Sequence, residues 1–316
     1  MFTGKFKITA SISIIIIVVG VIFAAVSGGL NLGIDFTGGS ITTIDIKEQY
    51  DTEVVRAVLE QYDAADSPIV KAGDDNTEAI IRMKDLGNAE ELQATVSDNI
   101  VAGIRETYPN AELVSIDSVG GTTSADLVRN AILAVVVACA LMLVYIWIRF
   151  ELFTGVAAVI ALAHDVLIMI AVVAITQMQI NSGFIAACLT IVGYSINNTI
   201  VIFDRIRDNQ NVLRSQSFTR NGIADRSIKE TLTRTINTTV TTLIMIVCLY
   251  VFGVDSIKEF SLPIIIGLLA GTYSSLFLSA PLWAVLADKA AGRKSGKAGK
   301  KKGGSKGNKG NKSKKK

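Results

Sequence analysis

Six apolar runs decide what this chain can fold into. They fall at about residues 8–27, 127–148, 153–176, 183–203, 236–253 and 261–286. Each approaches or exceeds the ~20 residues a helix needs to cross a hydrocarbon core about 30 Å thick. The shortest, 236–253, opens with Thr-rich sequence. The chain of 316 residues is 50% hydrophobic with a mean hydropathy of +0.46. That is too apolar for a soluble globular protein and fits a polytopic membrane protein. Lys5 and Lys7 precede the first run and Ala25-Val26-Ser27 closes it, much as in a secretory leader. Its apolar core, Ile8 to Val26, is longer than a leader's roughly 7–15 residues, so it reads as an uncleaved anchor.

A formal net charge of +3 hides a strong asymmetry. Between Gly28 and Asp126 six basic residues (Lys47, Arg56, Lys71, Arg82, Lys84, Arg105) face nineteen acidic ones. The 204–234 loop holds seven basic residues against four acids, and the tail from Asp288 holds thirteen against one. Excess Lys and Arg mark the cytoplasmic side of a membrane protein. The N-terminus, the 204–234 loop and the tail are therefore expected in the cytoplasm, with the acidic stretch outside. The chain divides into a first transmembrane helix (1–29), an external domain (30–125), a five-helix membrane bundle (126–287) and a polybasic tail (288–316). The tail cannot bury a core and reads as disordered; it suits anionic lipid or ribosomal RNA. The three cysteines, Cys139, Cys188 and Cys248, fall inside the apolar runs. They have neither disulfide nor metal-ligand spacing and are expected as small buried hydrophobes.

Outside the membrane the chain opens with NLGIDFTGGS, residues 31–40. A strand follows it, so a phosphate-binding loop is a poor reading; the glycines let the chain bend as it leaves the bilayer. Strands are predicted over 40–46, 68–72, 78–84 and 111–119, with helices over 52–62 and 88–108. Asn88 and Glu91 stand at capping-box positions. This βαββαβ order predicts a small ferredoxin-like α+β domain. It contains no His or Cys, and its surface is a binding face at most. Gly120–Ser124 reads as a flexible turn back into the second span.

Polar groups inside the spans carry the functional signal, because they are costly there and face other helices or a wet cavity. In the fourth span Tyr194, Ser195, Asn197, Asn198 and Thr199 cluster before the apolar run ends. Thr190, Tyr194 and Asn198 recur every four residues along one helix face. Interhelical glue, worth about 1 kcal/mol per hydrogen bond, is the plainer account of such residues. The third span holds the only histidine, His164, followed by Asp165, about 16 Å along the helix from Thr154. An ionised Asp there costs roughly 2.5–3.5 kcal/mol, so pairing, protonation or water is expected. Adjacent helical side chains point about 100° apart, which argues against the orienting pair of a Ser/His/Asp hydrolase. In TLTRTINTTVTTL, residues 231–243, Thr231, Arg234, Thr238 and Thr241 are expected on one face. Pro263, Gly267 and Gly271 of the sixth span suit close helix packing.

GIDFTGGS, His164-Asp165, GYSINNTIVIFDRIR and TLTRTINTTVTTL together resemble the SecF family, the six-span half of the bacterial SecD–SecF protein-export complex. The resemblance covers residues 5–286. It implies an RND-superfamily membrane fold in the bacterial cytoplasmic membrane and a separate six-span SecD partner. It also implies cooperation with the SecYEG channel and SecA, acting on translocating polypeptides with the ion gradient as the energy source. The family commonly has an acid where this chain has Asn198, and its paired arginine falls on Arg234. Asparagine does not titrate, so Asp165 or an acid of SecD would have to carry coupling. The resemblance thus makes Asp165, Tyr194, Asn197, Asn198, Arg234 and Thr238 the ion-coupling candidates, and Gly33, Asp35, Gly38 and Gly39 an external hinge motif. No cofactor, metal, DNA partner or catalytic chemistry is expected. An RND-like exporter of lipid or small molecules and a purely structural SecD-stabilising subunit are the alternatives.

Overall fold

The structure is a computed structural model that describes residues 2–62, 64–65, 67–73, 75–83, 99–213, 218–253 and 255–289. Its chain forms two compact units. One comprises the described parts of Gly28–Val137 and Gln177–Ala186; the other comprises those of Met1–Ser27, Ala138–Thr176 and Ala187–Lys316.

In the first unit a one-turn helix, α2 (Ile34–Thr37), stands where the sequence predicts only a turn, and leads into β1 (Gly39–Asp45). Then come α3 (Thr52–Glu60), β2 (Ile69–Ala72), β3 (Glu78–Met83), α4 (Val101–Thr107) and β4 (Glu112–Val119). Asp51 caps α3 by accepting a hydrogen bond from the Glu53 N–H, satisfying a donor the helix leaves free. The four strands form one antiparallel sheet in the order β2-β3-β1-β4. Ile44, Ile46, Val55, Leu59, Ile81 and Ile104 are the centre of its core. The expected alternation along β4 breaks. Thr43 pairs with Ser115 and Ile44 with Leu113, so Val114 is a bulged residue and remains exposed. One extra residue switches the face of everything after it, which is why Leu113 and Ile116, three apart, both pack on the core. The predicted helix 88–108 is described only from its last part; residues 84–98 lie outside the described residues.

Among the described residues six helices are long and apolar enough to cross a membrane. They are α1 (Phe6–Val26), α5 (Gly121–Arg149), α6 (Leu152–Thr176), α7 (Ser182–Leu213), α8 (Arg220–Phe252) and α9 (Asp255–Ser274). The chain turns from β4 into α5 through Gly120 alone, where a five-residue turn was expected. Past α9 a π-helical turn (Ser275–Ser279) leads into helix over residues 280–289. Close approach uses the small residues. A side chain at Gly20 would meet Ala171 of α6, and one at Gly267 would sit 2.4 Å from Ile191 of α7. Of the cysteines Cys188 is buried, but Cys248 is exposed on α8, against the expectation of burial.

The 204–234 stretch, read from the sequence as a loop, is largely helical. α7 runs on to Leu213 and α8 starts at Arg220, so the chain stays helical well beyond both apolar runs. Two antiparallel helices bury Ile206, Ile223 and Ile228 together with Phe203 and Trp283. Their polar residues pair across the seam: Arg205 with Glu230 at 2.7 Å and Asn209 with Ser227 at 2.9 Å. Arg226 also reaches Glu230, at 2.9 Å. Glu230 stands before the apolar run of α8. The hydrogen bond from Asn209, with those from Arg226 and Arg205, holds its carboxyl down at about 2.

Candidate functional site

Asp165 is fully buried near the middle of α6. The hydroxyls of Ser195 on α7 and Ser274 on α9 donate to its Oδ2, the latter at 2.9 Å. His164 Nδ1 lies 2.9 Å from Oδ1, and its Nε2 lies 2.8 Å from Ser13 Oγ on α1. The sequence argument against a His164–Asp165 pair therefore fails. The 100° between adjacent helical side chains separates their Cβ directions, but an imidazole and a carboxylate are long enough to swing together at their tips. The Tyr273 ring stacks on His164 at 6.2 Å, and its hydroxyl donates to the Thr9 carbonyl at 2.8 Å. Gly271 makes room: a Cβ there would be 3.0 Å from Ser195 Cβ. The chain thus gathers a buried carboxylate, an imidazole and three serine hydroxyls from four helices. Among the described residues no lysine or arginine forms an ion pair with it.

The polar stripe of α7 faces a second cluster. Tyr194 donates to Thr239 Oγ1 at 3.2 Å, and Thr239 bonds Thr272 of α9 at 2.9 Å. Asn198 lies one turn further along α7 and Thr235 one turn back along antiparallel α8, which brings them to the same level. Both are buried, and among the described residues neither the Asn198 Nδ2 nor the Thr235 hydroxyl has a hydrogen-bond partner. Thr231, Thr238 and Thr239 return their hydroxyls to their own helix; Thr235 does not. Thr190 and Asn197 are exposed.

The face proposed for residues 231–241 splits in two. Thr231, Thr235 and Thr239 turn inward, whereas Arg234, Thr238 and Thr241 are exposed on the outer side of α8. Arg234 has no acidic partner among the described residues. Asp165, the acid within the spans, is enclosed by serines and His164 and does not meet it. Helical spacing of three and four cannot tell a stripe at one edge of the buried arc from its neighbour, hence the misassignment.

The glycine motif is bound to the 177–182 segment of its own unit. The Gly33 N–H donates to the Ile180 carbonyl at 2.8 Å, and Asp35 Oδ2 accepts from the Ser182 N–H at 2.7 Å. A Cβ at Gly33 would sit 2.8 Å from Gln179 Nε2. Gly38 and Gly39 take φ of 71° and 122°, conformations that favour glycine. Sequence reasoning missed Ser13, Ser274, Thr235, Thr239 and Thr272. Each sits among several hydroxyls of its own stretch, so none of them stood out in the sequence. No three of His, Cys, Asp and Glu come together among the described residues.

A family model described as protein export membrane protein SecD/SecF, C-terminal, matches residues 99–289, and one for the SecD/SecF GG motif matches residues 23–48. The protein translocase subunit SecF of Cereibacter sphaeroides is 37% identical over 276 residues, 85% of each chain. That of Thermodesulfovibrio yellowstonii is 35% identical over 287 residues, 90% of this chain and 94% of the relative. The crystal structure of SecDF, a translocon-associated membrane protein from Thermus thermophilus, superposes with a TM-score of 0.77 at 32% identity. SecDF in its super-membrane-facing form gives 0.64 at 30%. These matches cover 92% and 94% of this chain but only 38% and 40% of the SecDF chains.

Proposed function

The chain belongs to the SecD/SecF family of protein-export membrane proteins, and from that premise we propose that it couples the transmembrane ion gradient to late translocation or release of exported polypeptides. It is an accessory subunit of the Sec export machinery and a multi-pass membrane protein. SecD is its partner in that machinery; SecYEG and SecA are the further partners we assign, with anionic lipid or ribosomal RNA at the basic tail. We assign both termini to the cytoplasm and residues 30–125 to the outside of the bacterial cytoplasmic membrane, a reading that the charge asymmetry supports. The strand order β2-β3-β1-β4 with α3 on the core supports reading that domain as ferredoxin-like, with the glycine motif as its hinge. The chain's own part is mechanical, not catalytic.

Arg234 is the observation that carries coupling. It lies level with Asn198 and Thr199, within the apolar run of α7, and is exposed without an acid. A guanidinium left in lipid costs roughly 2.5–3.5 kcal/mol on insertion scales, and a carboxylate is a stronger partner than the Asn198 amide. An acid on SecD, reaching the outer face of α8, meets this need. The membrane potential supplies about 2.3 kcal/mol per elementary charge per 100 mV. Asn198 itself favours a second reading, a structural subunit with no coupling of its own.

Export into inverted membrane vesicles, with and without an ionophore, separates the two. Arg234→Ala and Asp165→Asn should each abolish the gradient-dependent part of export, while Asn198→Asp should retain it. Equal export by all variants, insensitive to the ionophore, would leave only the structural subunit.

A further inference from the structure

The hydrogen atoms around His164 can be placed in two ways that differ by one proton. Asp165 Oδ2 accepts from Ser195 and Ser274, so the carboxylate meets donors on that side. Oδ1 faces His164 Nδ1, which must therefore carry or share a hydrogen. The other ring nitrogen, Nε2, faces Ser13 Oγ. Ser13 has one hydroxyl hydrogen and two acceptors within reach, His164 Nε2 at 2.8 Å and the Thr9 carbonyl at 3.2 Å. When it points to Nε2, the imidazole is neutral and the buried site carries one net negative charge. When it points to Thr9, Nε2 must itself donate to Ser13 Oγ, the imidazole is doubly protonated and the site is neutral.

We infer that His164 and Asp165 form one buried proton-binding site, with the Ser13 hydroxyl turning between the Thr9 carbonyl and His164 Nε2 as the proton comes and goes. Loaded, it is an imidazolium–carboxylate pair. On release the Nε2–H bond breaks, its proton passes to water at the partly exposed imidazole, and Ser13 rotates to donate to the bared lone pair. The Nδ1–H bond to Asp165 stays in place throughout. One proton leaves and no other reactant is needed.

The groups facing the pair are Thr9 and Ser13 from α1, Ser195 from α7, and Ser274 and Tyr273 from α9. Tyr273 is the one other titratable side chain among them. Because Ser13, Ser195 and Ser274 come from different helices, loading and unloading change the bonds that join α1, α7 and α9 to α6. The inference deepens the coupling reading by naming the ion as a proton and its carrier as this pair.

His164 is the only histidine of the chain, so isotope-labelled imidazole nitrogens report the site alone in magnetic resonance. The full chain, carrying an affinity tag free of histidine, would be studied in lipid bilayers from about pH 5 to about pH 9. The expected result is a doubly protonated ring at the acid end that loses the Nε2 proton and keeps Nδ1–H as pH rises. A ring that stays neutral throughout, or one that loses the Nδ1 proton first, would overturn the inference. Asp165→Asn should lower the proton affinity by about tenfold or more; an unchanged titration would show that the two residues do not act as a pair. Ser13→Ala should move the bared Nε2 signal toward that of a lone pair without a hydrogen bond, and no movement would remove Ser13 from the site. None of these readouts depends on export, so a negative vesicle assay and a negative titration are separate results.

Discussion

Two glycines with contrasting surroundings test the packing at the scale of single residues. A Cβ at Gly267 would lie 2.4 Å from Ile191 Cγ1 and 2.8 Å from Met169 Sδ, whereas one at Gly193 meets nothing within 4 Å. Gly267→Ala should therefore lose about 1–3 kcal/mol through overpacking, more than the ~1 kcal/mol that alanine gains in a helix. Gly193→Ala should gain stability. Thermal unfolding midpoints in one detergent check both, and a Gly267→Ala protein as stable as wild type would show that α7 and α9 are not tightly apposed. The spacing of Gly267 and Gly271 was legible as a packing signal. Their neighbours were not, because a periodicity names a face without naming what lies opposite.

Helix pairs carry the next level of organisation. α7 and α8 extend past their apolar runs because Arg205, Arg226, Glu230, Asn209 and Ser227 satisfy one another across the seam. Composition alone reads such residues as a loop; they become helix only when a partner helix supplies their bonds. Glu230, ordinarily near 4.5, is held at about 2 in the fold. A carboxyl depressed by folding stabilises fully above its unfolded value and loses that contribution as pH falls through its folded one. Wild-type stability should thus decline from roughly pH 5 toward pH 2 by more than that of Glu230→Gln. Parallel declines would mean that the network does not brace α7 against α8.

Seen as a whole, the molecule leaves three of its six apolar helices, α1, α5 and α8, mostly uncovered by its own described residues, as expected of a chain that assembles with SecD. Charge asymmetry sets its expected orientation, and Glu48, exposed in the loop after β1, is a suitable reporter. Glu48→Cys should react with a membrane-impermeant thiol reagent in intact cells after Cys139, Cys188 and Cys248 are replaced by serine. Labelling only after the cells are opened would invert the topology. By itself the sequence determined the six spans and the family, since span length and a fifteen-residue motif such as GYSINNTIVIFDRIR are local properties. It also singled out Asp165, because a charge inside an apolar run stands out, and Arg234, through the family motif that carries it. Only the tertiary structure decided what those charges meet. Asp165 is closed in by hydroxyls from α1, α7 and α9 through His164, Ser195 and Ser274, and Arg234 faces away from it. Helix periodicity repeats every three to four residues and leaves the rotation of each helix open, and that rotation is settled by which small residues let two backbones approach.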